Sequence, residues 1–269
     1  MQTASINLNG LTLHYYRTGG DKPPLICLHG IMDSGRCWSG AAASLAADYD
    51  CIMPDMRGHG RSDAPASGYT PADHTGDILA LMDALGIGRA VLMGHSMGGM
   101  VATQIALQAP ERVRGLVLED PAWPTPPAED VDMWAVAAVW KAQIQEMQAE
   151  GPEALVAGAQ EKLGTWLPAD VEAWIESKFQ MRPVAADYIA SKTGAWQDFV
   201  AQLEPPTLLF YPDPAYKGVI ISAEMAAQAQ ALNPRIKAVQ ILEAGHSLRR
   251  DQMGAFLATL GPFLAALPA

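Results

Sequence analysis

The stretch Val91-Leu92-Met93-Gly94-His95-Ser96-Met97-Gly98-Gly99 decides the fold. An apolar run stops at Gly94-His95-Ser96-Met97-Gly98-Gly99, and a helical pattern continues from Met97 to Ala109. This is G-x-S-x-G between a predicted strand and a predicted helix. A turn that sharp lifts a serine Oγ clear of the sheet and strains its backbone. Gly94 and Gly98 remove the Cβ atoms that would collide where strand and helix crowd together. The bare pattern also fits an ordinary glycine-rich turn; its place between strand and helix favours a nucleophile. A serine hydroxyl attacks only with a base beside it. The rest of the chain must therefore supply a base, a carboxylate and donors for an oxyanion.

Working outward, Leu25-Ile26-Cys27-Leu28 is a short apolar run, as in a strand buried on both faces. It ends in His29-Gly30-Ile31-Met32-Asp33. Tyr49 to Pro54 is a second such strand, followed by Asp55-Met56-Arg57-Gly58-His59-Gly60-Arg61-Ser62. Val113 to Glu119 is the strand after the serine helix, and it ends at Asp120-Pro121. Helices are predicted over 36–47 and Thr70 to Leu85. Strands 5–9 and 11–17 form a hairpin around Asn9-Gly10. Towards the C-terminus come a strand at Thr207 to Tyr211, a helix at Ser222 to Leu232 and a strand at Ile236 to Leu242. Gly245-His246 and a last helix to about residue 266 follow. This alternation predicts a parallel sheet with helices on both faces and a site at the carboxyl ends of the strands. Residues 122–200 break the alternation with helices and no strong strand pattern. They read as an inserted helical cap, entered through the proline-rich Pro121 to Pro127. Residues 1–121 and 201–269 form the core domain.

Composition narrows the function classes. Apolar residues make up 49% of the 269, enough for a large core. The formal net charge is −11, with no basic run. That opposes binding to nucleic acid or an anionic membrane and points to neutral substrates. The three cysteines, Cys27, Cys37 and Cys51, show no metal-ligand spacing and suit buried free thiols in a reducing compartment. The N-terminal hairpin lacks the pattern of a signal peptide, and no apolar run is long enough to span a membrane. A cytoplasmic location is expected. Neither cofactor nor metal is expected. The expected partner is a small hydrophobic substrate, and a homodimer is the one assembly kept open.

In this order and spacing, His29-Gly30, Asp55-x-Arg57-Gly58-x-Gly60-x-Ser62, Gly94-x-Ser96-x-Gly98-Gly99 and Gly245-His246 resemble the α/β-hydrolase fold family over nearly the whole chain. The resemblance implies a mostly parallel eight-stranded sheet with a cap after the sixth strand. It implies Ser96 as nucleophile. The family's epoxide hydrolases and haloalkane dehalogenases carry a carboxylate at that position, so the serine branch is favoured. His246 is the candidate base, on a loop after a strand and last in chain order. The N–H groups of Met97 and Ile31 are the expected oxyanion donors, the latter by resemblance to the family's His-Gly-x loop. Gly30 and Met32 should line the pocket.

The acid has two candidates. The family usually places it in a loop after the strand at 207–211. Here that loop reads Tyr211-Pro212-Asp213-Pro214-Ala215, and the usual spacing falls on Ala215. Asp213 remains possible through a reshaped loop. Asp120, at the tip of the strand after the serine helix, is the alternative that some family members use, and it is placed ahead. Glu119 should face the other way. Asp55, Arg57 and Ser62 are expected to knit a loop through an Arg–carboxylate pair. Arg249 and Arg250 are expected at a solvated helix start. All but one of the seven tryptophans fall between residues 123 and 196. Cap packing explains most of them, with Trp123 and Trp134 as candidate substrate contacts.

The expectation is a serine hydrolase that cleaves a neutral hydrophobic carboxylic ester or lactone, aromatic ones included, through an acyl-enzyme. C–C bond hydrolysis or perhydrolysis on the same residues is the near alternative. A non-hydrolytic ligand-binding protein of this fold is the distant one.

Overall fold

The computed structural model describes residues 1–8, 10–125, 131–191 and 193–268. Strands β1 (Gln2–Leu8), β2 (Leu11–Arg17), β3 (Pro24–Leu28), β4 (Asp50–Pro54), β5 (Ala90–His95), β6 (Val113–Glu119), β7 (Thr207–Tyr211) and β8 (Ile236–Gln240) form one sheet. Its order is β1-β2-β4-β3-β5-β6-β7-β8. The β1–β2 and β2–β4 pairs are antiparallel; the other pairs are parallel. Asn9 of the expected hairpin turn, and Pro126 and Pro127 of the proline-rich stretch, lie outside the described residues.

The helices are α1 (Ser39–Leu45), α2 (Pro71–Ala84), α3 (Met97–Gln108), α4 (Met133–Glu150), α5 (Pro152–Leu163), α6 (Pro168–Gln180), α7 (Asp187–Ser191), α8 (Trp196–Ala201), α9 (Ala223–Leu232), α10 (Leu248–Asp251) and α11 (Met253–Ala265). Strand periodicity divides the core. Ile26, Ile52, Leu92 and Leu116 face one side, where Val101 and Ile105 of α3 cover them. Leu25, Cys51, Val91 and Val117 face the other, beneath Phe256 and Leu260 of α11. Local chemistry sets the ends. Thr70 and Asp73 form a capping box at the start of α2, with Pro71 in its first turn.

Strand β1 begins at Gln2 rather than residue 5, and two further boundaries differ from the sequence expectation. A 3₁₀ turn at Gly35–Trp38 precedes α1 in place of a helix from residue 36. Gly35 N–H donates to Asp55 Oδ1 at 2.7 Å, and Cys37 N–H to Ser34 O at 3.0 Å, which tightens that turn. The last strand stops at Gln240, and Glu243 turns the chain at φ 55°.

Helices α4 to α8 intervene between β6 and β7, the place expected for the insertion. They are not equivalent. α4 and α6 reach over the strand ends, whereas α8 packs on α3 and α9 of the sheet layer. Trp123 stacks on Trp196 of α8 (centroids 5.9 Å apart, planes 5° apart) and donates from Nε1 to Thr103 Oγ1 at 3.0 Å. Both tryptophans therefore anchor the insertion to the sheet layer.

Candidate active site

Ser96 sits between β5 and α3 at φ 51°, ψ −114°. That left-handed backbone is costly for a residue with a Cβ and persists only where neighbours enforce it. They do so by crowding. A Cβ on Gly98 would lie 2.2 Å from Leu28 O, and one on Gly94 would lie 2.3 Å from Gly98 O. Only glycine permits α3 to start this close to β3 and β5.

Asp120, directly beyond β6, is fully buried at φ 40°. Its Oδ2 is 2.6 Å from His246 Nδ1. A carboxylate oxygen accepts, so Nδ1 carries the proton, and the neutral imidazole keeps a lone pair on Nε2. The remaining carboxylate capacity is filled by backbone. Ile221 N–H donates to Oδ1 at 2.7 Å, and Ile220 N–H reaches both oxygens at 3.1 and 3.2 Å. The loop after β7 thus contributes donors to Asp120 rather than a carboxylate of its own.

Asp213 is elsewhere. It accepts from Ala215 N–H at 3.0 Å and Glu243 N–H at 3.1 Å, and these bonds lower its pKa. It ties the loop that carries His246 without touching the imidazole. The other end of that loop is held by His95, whose Nε2–H donates to His246 O at 2.8 Å.

The loop after β3 is equally constrained. His29 Nε2 accepts from Met56 N–H at 3.0 Å, so Nδ1 carries the proton and donates to Gly30 O at 2.8 Å. Asp33 N–H reaches the same carbonyl at 3.0 Å. With its carbonyl held by two donors, the Gly30–Ile31 peptide plane is fixed and its N–H points the opposite way. Neither Ile31 N–H nor Met97 N–H has an acceptor among the described residues. Both residues line the cavity that contains Ser96 and His246.

That cavity has a volume of about 510 Å³. Ser96, His246, Gly30, Ile31, Met32 and Met97 lie on it, and Ile220 and Ala122 complete the sheet side. The insertion contributes Trp140, Trp174, Lys178, Tyr188 and Ile189. No hydrogen bond joins Ser96 Oγ to His246 among the described residues. Apolar walls with a few convergent polar groups are what a small-molecule site requires.

Several expected roles are corrected. Trp134 is 60% exposed on the outer face of α4 and does not line the cavity. Further along α4, Trp140 does. Trp123 is buried against Trp196 and belongs to the packing under the insertion. Arg249 and Arg250 are buried, not solvated. Arg249 pairs with Glu119, which points away from Asp120 as strand alternation requires. Arg250 Nη2 pairs with Asp33 at 2.8 Å. Arg57 pairs in bidentate fashion with Asp77 (2.6 Å for both bonds), while Asp55 accepts from Gly35 and Arg61 N–H groups.

Lys178 escaped the sequence reading. Its signal is faint: Asp170, Ala173, Ser177 and Lys178 share the buried face of α6, where polar residues occupy positions normally apolar. Lys178 Nζ donates to Met32 O at 2.5 Å and lies 3.4 Å from Asp33 Oδ1. Burial alone would raise the Asp33 pKa; Arg250 and Lys178 override it and hold the carboxyl well below the usual range. Burial lowers the Lys178 pKa, and Asp33 opposes that shift. Among the described residues, no three His, Cys, Asp or Glu side chains are grouped to hold a metal ion.

The chain matches the alpha/beta hydrolase fold over residues 23–248 and belongs to that family. Its similarity to an N-formylmaleamate deformylase of Pseudomonas putida is 28% identity over 267 residues, covering 97% of this chain and 95% of that protein. An epoxide hydrolase of Caballeronia sordidicola is 43% identical, over only 114 residues. That match covers 41% of this chain and spans about a third (34%) of the relative's length. Among solved structures, the esterase RhEst1 of Rhodococcus sp. ECU1013 superposes with a TM-score of 0.79 at 27% identity, covering 100% of both chains. No helix among the described residues is long and apolar enough to cross a membrane.

Proposed function

We propose that the protein is a serine hydrolase that cleaves an ester or lactone carbonyl through an acyl-enzyme. The observation that carries this is the 2.6 Å bond from His246 Nδ1 to a fully buried Asp120. It leaves the basic Nε2 to a cavity that also holds Ser96.

In this reading His246 takes the Ser96 proton as Oγ attacks the carbonyl carbon. The N–H groups of Met97 and Ile31 receive the developing oxyanion, and Met97 adds the positive end of α3. The imidazolium is stabilised by Asp120 and returns its proton to the leaving alkoxide. Water, deprotonated by His246, then releases the acid. Trp140, Trp174, Tyr188, Ile189 and Ile220 enclose the apolar body of the substrate. A serine at the elbow opposes epoxide opening through an aspartyl ester. The full-length likeness to a deformylase makes amide cleavage the competing bond type, with the same proton steps.

The test is steady-state turnover of p-nitrophenyl esters, lactones and N-formyl amides by the wild type and Ser96→Ala, with a fluorophosphonate probe as active-site label. Stoichiometric labelling of the wild type and loss of at least about a thousandfold in kcat in the variant are expected. Ester turnover undiminished in Ser96→Ala would overturn the reading. Faster amide than ester cleavage would change the bond type and keep the mechanism.

A further inference from the structure

We propose that the cavity takes a substrate bearing a carboxylate remote from the scissile carbonyl, seated on Lys178 and Arg250. This rests on the hydrolase reading and names its substrate class.

The argument is one of charge and of unused donors. Three carboxyls, Asp33, Glu119 and Asp170, and three cations, Arg249, Arg250 and Lys178, are buried together behind the loop after β3. Arg249 is committed to Glu119, donates to Cys37 O at 3.1 Å and lies over the Trp38 ring at 3.8 Å. Asp33 faces Arg250 at 2.8 Å, Lys178 at 3.4 Å and, more distantly, Arg249 at 3.8 Å. Another buried carboxyl near the arginines, Asp170, has its pKa raised by burial and does not line the cavity. Glu172 and Glu176 pair with Arg36. The neighbouring imidazole of His95 is also driven towards neutrality by burial. The cavity lining itself thus carries two cations, Lys178 and Arg250, against one carboxylate, Asp33. A ligand carboxylate would give these two cations a second partner.

The donors agree. Lys178 has three N–H groups. One goes to Met32 O, one faces Asp33, and the third has no acceptor among the described residues. Arg250 reaches Asp33 through Nη2 at 2.8 Å. Both side chains, with Asp33, line the cavity that contains Ser96 and His246. The Trp174 ring lies 4.7 Å from Lys178 Nζ and limits its movement. The neutral substrate expected from the net charge of −11 reflects the outer surface, whereas the inner wall of this cavity has the opposite sign.

The test compares p-nitrophenyl hemiesters of succinate, glutarate and adipate with p-nitrophenyl butyrate, valerate and hexanoate. The readout is the ratio of kcat/KM, anionic to neutral, at equal chain length within one protein. In the wild type at least one hemiester is expected to exceed its neutral partner about tenfold or more, chiefly through KM, as a charge-assisted bond supplies. In Lys178→Met the ratio should fall to about one or below, and Lys178→Arg should restore it in part. Calorimetric titration of the wild type with free succinate, glutarate and adipate serves if Lys178→Met does not fold. Competitive binding of one dicarboxylate, weakened by 0.5 M salt, supports the proposal. Neutral esters preferred at every length, with no binding of any dicarboxylate, would overturn it. If no ester of either kind turns over, the ester reading fails alone, and calorimetry still decides the carboxylate site.

Discussion

Asp120 and Asp213 illustrate what a residue's neighbours decide. Both are aspartates just beyond a strand of the sheet. Asp120 accepts from Ile220, Ile221 and His246, whereas Asp213 accepts from Ala215 and Glu243. Asp120→Asn should therefore lower kcat by roughly 10³- to 10⁴-fold, because an amide supports the wrong imidazole tautomer and cannot stabilise its cation. Asp213→Asn should stay within about threefold in kcat, with its effect confined to loop stability. Steady-state kinetics of the two variants on one ester checks this; equal losses would reject the proposed role of Asp120. The sequence placed both acids at plausible sites but held no information on the direction of either carboxylate. That direction depends on the left-handed φ of Asp120 and on donors a hundred residues away.

At the scale of elements, the end of β6 joins two systems. Asp120 serves the imidazole. Glu119, on the other face, accepts from Arg249 N–H at 2.9 Å and pairs with its guanidinium, fixing the start of α10 just after His246. Glu119→Gln leaves a buried guanidinium without its counter-ion, and should cost about 3–5 kcal/mol in urea unfolding. The elbow makes a second prediction. Gly98→Ala would put a Cβ 2.2 Å from Leu28 O, a backbone atom that cannot give way. We expect loss of soluble protein, or a Tm lower by many degrees, read by thermal melting. The glycine spacing and the strand before it made this element legible from sequence. The inward face of α6 was not legible, because Ser177 and Lys178 resemble residues of a solvated helix surface. In the fold, Lys178 Nζ donates to Met32 O at 2.5 Å, linking the insertion to the loop that bears Ile31, while Ser177 Oγ donates at 2.7 Å to Trp174 O within α6 and lies 3.1 Å from Met32 O.

For the whole molecule, buried imidazoles set the acid limit. Burial lowers the pKa of His29 to about 3, of His74 well below its usual value, and of His95 in the same direction. Each stays neutral in the folded state while its unfolded counterpart binds a proton below pH 6.5. A lowered folded pKa means stability that is fully present above 6.5 and is lost as pH falls below it; for His29 the loss continues towards 3, at about 1.4 kcal/mol per pH unit while the folded imidazole stays neutral. Urea midpoints measured from pH 8 to 5 should be flat down to about 7 and fall steeply below 6. A midpoint unchanged down to pH 5 would show that these imidazoles are not buried as described.

The sequence by itself determined the strand–helix alternation, the strained turn at Ser96, the order of serine before histidine and the place of the helical insertion. These follow from local physics: short continuous apolar runs, as in strands buried on both faces, and glycines where backbones nearly touch. Tertiary structure decided which aspartate meets His246, which tryptophans reach the cavity, and the sign of the charge inside it. Those depend on side chains from β6, α6, α10 and the loops after β3 and β7 converging on one volume. Exposure, direction and hydrogen-bond partners at such a meeting are properties of the packed fold and of no single segment.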